Sequence, residues 1–143
     1  MMNGKLLISL FAGLLLASGA NAGEAPAREC ITPADTAKTC DGDKHYPFVL
    51  INTEMAKLDR LFVCAARKST IEFRVVPLGK NDIGTVAIKP IDPKDTWLTG
   101  ANSPDQRWIK ILVPDWVDNV SDHGYTILFS DGRCVDPRVH VED

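Results

Sequence analysis

Four cysteines (Cys30, Cys40, Cys64 and Cys134) and three histidines (His45, His123 and His140) are the side chains best suited to hold a metal or attack a substrate. Thiolates and imidazoles are ligands for zinc and copper, and a thiolate is also a nucleophile. Asp122, His123 and His140 belong to the last part of the chain, so a loose metal site built from them is conceivable. It lacks any recognised ligand spacing, and lone ligand-type residues are common. The expectation is therefore Asp122-His123 in a loop, His140 facing outward between Val139 and Val141, and no metal or cofactor. No G-x-S-x-G elbow is present, and the acidic residues show no pattern that sets two of them across a cleft. The run "DGDK" (41–44) lacks the later ligands of a calcium loop, which leaves a solvated turn. "NVS" at Asn119–Ser121 is a glycosylation sequon, relevant only in a eukaryotic secretory pathway. None of these patterns supports an enzyme.

The use of the cysteines depends on the compartment. Residues 1–22, "MMNGKLLISLFAGLLLASGANA", carry Lys5, an apolar core from Leu6 to Ala17 and an Ala20-Asn21-Ala22 site, as a secretory signal peptide does. The apolar run is shorter than the ~20 residues a membrane span needs, so no stable span is expected after cleavage. Cleavage leaves 121 of the 143 residues, enough for one domain, with the formal charge moving from −3 to about −4. Mild acidity without a basic stripe argues against nucleic acid as a partner. The expected location is the periplasm or the exterior.

An even number of cysteines in an oxidising compartment predicts two disulfides. Four cysteines allow three connectivities. The pairing expected here is Cys30–Cys40, closing a small loop, with Cys64–Cys134 tying an early strand to the last one. Loop-closure entropy assigns these roughly 3 and 4 kcal/mol.

The elements that must carry these residues are mostly strands. From Gly23 to Lys44 the chain is polar and aperiodic, so residues 23–45 are expected as an extended arm, with the globular domain at 46–143. "YPFVLI" (46–51) is a short apolar run. "STIEFRVV" (69–76) alternates, with Ile71, Phe73 and Val75 on one face and Glu72 and Arg74 on the other. "GTVAIKP" (84–90) places Val86 and Ile88 inward, and "RWIKILVP" (107–114) stops at a proline. Short runs separated by Gly, Pro, Asn and Asp predict an all-β, single antiparallel sandwich. "NTEMAKLDRLFVCAARK" (52–68) has helical spacing at Met55, Leu58, Phe62 and Ala65. The contiguous Leu61-Phe62-Val63 favours instead a strand paired through "RKS" with 70–76. A helix over 53–66 would move the class to α+β.

The terminal stretch "YTILFSDGRCVDPRVHV" (125–141) sets a register problem. A two-residue Asp131-Gly132 loop would place Val135, Val139 and Val141 on the face opposite Tyr125, Ile127 and Phe129. A one-residue shift reunites the two apolar sets, so a longer loop or a bulge near Asp136-Pro137 is expected.

"LFVCAARKSTIEFRVV", "RWIKILVPD" and this terminal hairpin resemble a group of small exported bacterial proteins with a cupredoxin-like or immunoglobulin-like sandwich, over about residues 60–143. The resemblance implies a Greek-key β-sandwich and carries no activity. It also raises copper, which such sites bind through two histidines, a cysteine and an axial methionine. His140 lies six residues beyond Cys134, no methionine follows, and Met55 is the only one in the exported part, so the ligand order is missing.

What remains is recognition of an unknown protein or carbohydrate partner through loops or an edge strand. Tryptophan and arginine anchor many binding surfaces, which makes Trp97, Arg107 and Trp116 the candidates. Trp108 is expected to be buried over an end of the sandwich. For Trp97, inside the "DTWLTGANSPDQRW" stretch (95–108), burial and display are both open. A metal-binding redox or chaperone domain, and an inhibitor or immunity-type protein that blocks a hydrolase, are the alternatives.

Overall fold

The computed structural model describes residues 29–32, 40, 47–76 and 84–143. The expected leader, most of the arm, the 41–44 turn and His45 lie outside them. Ten strands follow in order: β1 (Phe48–Asn52), β2 (Lys57–Leu58), β3 (Phe62–Ala66), β4 (Thr70–Val76), β5 (Val86–Pro90), β6 (Gly100–Ala101), β7 (Trp108–Leu112), β8 (Asp122–Phe129), β9 (Cys134–Val135) and β10 (Arg138–Glu142). No helix occurs among the described residues, so the class is all-β.

Period-two burial explains why these runs are strands. Ile71, Phe73 and Val75 of β4 are buried, while Glu72 and Arg74 face outward. In β7 Ile109 and Ile111 are buried, and Trp108, Lys110 and Leu112 are exposed. Strands β2-β1-β4-β7 form one sheet and β3-β10-β8-β5-β6 the other, with β9 also paired to β8. Their buried faces share one core, in which the rings of Phe73 and Tyr125 meet edge to face at 5.8 Å.

Both sheets are mixed, which corrects the antiparallel expectation. Strand β1 runs parallel to β4, and β3 parallel to β10. The segment 53–66 is a turn and two strands. Its strand β3 does not pair with β4, as the "RKS" hairpin would require. Lys68, with φ of 64°, turns the chain out of one sheet and into the other. The Arg67 N–H donates to Glu142 O at 3.0 Å and the Lys68 N–H to Val113 O at 2.8 Å, which fastens this corner to both layers. Apolar content marked β3 as a strand. Its partner was decided by which edge the corner reached.

The terminal hairpin resolves its register through a three-residue loop, Ser130-Asp131-Gly132. The Phe129 N–H donates to Arg133 O at 2.9 Å, and Gly132 takes a φ of 87° that a side chain would resist. Ile127 therefore pairs with Val135, and Arg138 with Gly124 beyond Pro137, without a change of register. Tyr125, Ile127, Phe129, Val135, Val139 and Val141 all enter the core.

Tyr125 is fully buried, and its hydroxyl has no hydrogen-bond partner among the described residues. Burial, with the nearby charge of Asp59, pushes its pKa well above the usual phenol value. An unmatched buried hydroxyl costs about 1 kcal/mol or more in desolvation. Tyr125→Phe is therefore expected to raise the unfolding free energy by about 1 kcal/mol in urea titrations. A loss of stability would show that the hydroxyl is satisfied.

Candidate functional site

The cysteines form two disulfides, with a pairing other than the one expected. Cys30 bonds Cys134, and Cys40 bonds Cys64, with Cα separations of 4.8 and 6.0 Å. Cys30 lies beside Ile31, whose N–H donates to Cys134 O at 3.2 Å and whose carbonyl accepts from the Asp136 N–H at 2.9 Å. Ile31 thus bridges Val135 in parallel, on the edge of β9 that β8 leaves open. The small Cys30–Cys40 loop does not exist, because Cys30 is drawn to the far end of the sequence.

His123 corrects a second expectation. It is the second residue of β8, in phase with Tyr125, Ile127 and Phe129, and only 5% exposed. Its Nδ1 lies 3.0 Å from both carboxylate oxygens of Asp95, and its Nε2 lies 3.0 Å from the Asp118 carbonyl. Carboxylates and carbonyls only accept, so both ring nitrogens must donate, and only the imidazolium can do that. Burial by itself disfavours the charge. The bonds to Asp118 and Asp95, with the charges of both residues, outweigh it and raise the pKa above 6.5. Trp97 completes the cluster, with its ring 5.6 Å from the imidazole and its indole N–H donating to Asp95 at 3.3 Å.

His140 pairs across the sheet with Asp122, Nδ1 to Oδ1 at 2.9 Å, while His123 pairs with Val139. The two imidazoles thus face opposite sides of the sheet and cannot share an ion. No group of three or more His, Cys, Asp or Glu residues among the described residues is placed to hold one.

The chain opens instead at one flank. Strand β7 is the last strand of its sheet and β6 the last of the other, and an open groove of about 640 Å³ lies between them. Gly100, Ala101, Arg107, Trp108, Ile109 and Lys110 are among its lining residues. A Cβ on Gly100 would stand 2.6 Å from the Ile109 side chain, so only glycine lets the two edges approach there. Asn102 holds the neighbouring loop. Its Oδ1 accepts from the Val86 N–H at 2.7 Å, and its amide donates to the carbonyls of Gly84, Ser103 and Gln106.

Along β7 the backbone alternates too. The Val75 N–H donates to Arg107 O at 2.7 Å and the Val113 N–H to Ser69 O at 2.9 Å, so odd-numbered residues face β4. By the same period, the N–H and C=O groups of Trp108, Lys110 and Leu112 face away from it. They have no backbone partner among the described residues. Trp108 is 42% and Leu112 62% exposed. Arg74 lies 5.4 Å above the Trp108 ring, Phe48 packs at 5.8 Å, and Lys110 meets Glu72 at 3.2 Å.

Of the three candidate contact residues, Arg107 lines the groove. Trp116 is 63% exposed and does not line it. Trp97 is half-buried against the core and tied to Asp95. Trp108, expected to be buried, is displayed. Both this residue and His123 were findable by extending the alternation: Ile109, Ile111 and Val113 in phase put Trp108 outside.

No helix among the described residues is long and apolar enough to cross a membrane. No family model, no curated protein and no solved structure matches this chain.

Proposed function

We propose that the protein is an exported, non-catalytic binding module that takes an extended segment of another protein onto the edge of β7 that is unpaired among the described residues. The observation that carries this reading is the row of outward-facing backbone groups at Trp108, Lys110 and Leu112, flanked by exposed apolar side chains. A strand added there gains main-chain hydrogen bonds and a place for alternate side chains. The edge is five residues long, closed by Pro114 and interrupted by Lys110, features that limit indiscriminate edge pairing. Two disulfides suit an oxidising, exported setting. The inhibitor reading is a special case, with a hydrolase as the partner. A sugar partner has less support, because Trp116 does not line the groove.

Lys110→Pro separates this edge from every other surface. Its N–H faces away from β4, so proline removes no hydrogen bond of the fold and is tolerated at an edge. The variant is expected to keep its stability within about 1 kcal/mol. In a selection of displayed extended peptides, binders enriched on the wild-type protein should lose binding to the variant. Binders that keep their affinity for the variant, or a selection that enriches none, would overturn the proposal.

A further inference from the structure

We infer that the segment accepted by β7 carries a carboxylate at its centre and an apolar side chain two residues away on each side, in the order apolar-x-(Asp/Glu)-x-apolar. The inference rests on the edge-pairing function proposed above and adds the chemistry of the partner.

In an antiparallel pair, side chains directly opposite on one face interact most, and like charges set opposite each other destabilise. Trp108, Lys110 and Leu112 share the outward face of β7. A strand laid against them meets an aromatic ring, an ammonium and an aliphatic chain at successive outward positions. Trp108 and Leu112 suit apolar or β-branched neighbours. Lys110, whose side chain is 63% exposed even while it meets Glu72, suits a carboxylate that extends the Glu72–Lys110 pair into a third strand.

The surrounding charges favour an acidic guest. Arg74 stands over Trp108, and the exposed Arg107 guanidinium has no ionic or hydrogen-bond partner among the described residues. Asp105, the carboxylate on the groove, accepts from the Ser103 hydroxyl at 2.6 Å, which keeps it ionised. Its charge opposes an acidic guest and is outnumbered by those of Arg74 and Arg107. A second copy of this chain is the poorer fit. The register that uses all three outward residues of both copies sets Lys110 against its own counterpart. The guest's alternate side chains would face the groove on the side of Gly100 and Ala101.

The test uses two synthetic peptides, Thr-Ile-Thr-Glu-Thr-Val-Thr and the same chain with lysine at the centre. Each is titrated into the full protein while the amide signals of Trp108, Lys110 and Leu112 are followed by NMR. The glutamate peptide should bind about tenfold tighter than the lysine peptide, and the gap should shrink as salt is added. Lys110→Glu should reverse the preference, and Lys110→Gln should shrink it to what Arg74 and Arg107 supply. Both substitutions sit at an exposed position that leaves the core untouched. Equal affinities at the β7 amides, or a preference unmoved in Lys110→Glu, would overturn the inference and leave edge pairing standing. If neither peptide moves those amides at millimolar concentration, edge pairing itself fails, and the inference falls with it.

Discussion

Replacing Cys30 and Cys134 together by serine is expected to remove about 4 kcal/mol of stability, more than the same change at Cys40 and Cys64. The Cys30–Cys134 bridge spans 104 residues, and the other spans 24. Loop-closure entropy assigns them about 4.7 and about 3.5 kcal/mol in isolation, and removing a native bridge from a small domain typically costs 2–5 kcal/mol. The local consequence is sharper than the global one. Two backbone hydrogen bonds, Ile31 to Cys134 and Asp136 to Ile31, hold the arm on β9. They are set against an ordering cost of about 1–2 kcal/mol for each residue fixed. Without the covalent tie the arm is expected to leave and the β9 edge to open. Urea titrations of Cys30→Ser/Cys134→Ser and Cys40→Ser/Cys64→Ser give the ranking. Hydrogen exchange at Asp136 reports the edge. A smaller loss for the long-range bridge, with the Asp136 amide still protected, would mean that contacts and not the bond hold the arm.

His123→Ala is expected to cost about 3 kcal/mol, because it leaves Asp95 only 13% exposed and without its cation. Three connections depend on this imidazole: the β5–β6 loop through Asp95 and Trp97, the segment before β8 through the Asp118 carbonyl, and β8 itself. Backbone N–H groups of Val120 and Ser121 hold the Asp118 carboxylate ionised, lowering its pKa and fixing the turn that presents its carbonyl. The pH dependence has a definite sign. Folded His123 binds its proton more tightly than the unfolded chain does, so its contribution is complete below pH 6.5. As the pH rises past that point, the unfolded state gives up its proton first. The stabilisation then erodes until the folded pKa is passed. Wild-type stability should fall from pH 6 toward alkaline pH with a slope that His123→Ala lacks. Parallel slopes for the two proteins would mean that folding leaves the imidazole pKa unchanged. A wild-type stability that rises with pH relative to His123→Ala would mean that the folded imidazole is neutral. The same erosion should loosen the loop that carries Gly100 and Ala101, one wall of the groove.

Much of this architecture was legible in single strands. "STIEFRVV" and "GTVAIKP" declared their inward residues by alternation, and those residues are buried. The valines at 135, 139 and 141 required a loop longer than two residues, and the three-residue turn supplies it. Where the reading failed, it failed at long range. Four cysteines allow three pairings of equal local plausibility, and no stretch of sequence around Cys30 announces Cys134. The contiguous Leu61-Phe62-Val63 favoured a strand over a helix for "LFVCAA", yet nothing in it names β10 as a partner. His123 and Trp108 were misjudged by residue type, although the phase of their own strands placed one inside and the other outside.

By itself, then, the order of residues determined strand content, inward and outward faces, the terminal register and the presence of cysteines in numbers that suit staples. Those properties follow from the two-residue period of an extended chain, which acts over neighbouring residues. Tertiary structure alone decided the mixed sheets, the Cys30–Cys134 clasp, the charged His123 cluster and the meeting of two sheet edges at one groove. Each depends on residues far apart in sequence being brought together, and that choice rests on the packing of the whole core, which no local period encodes.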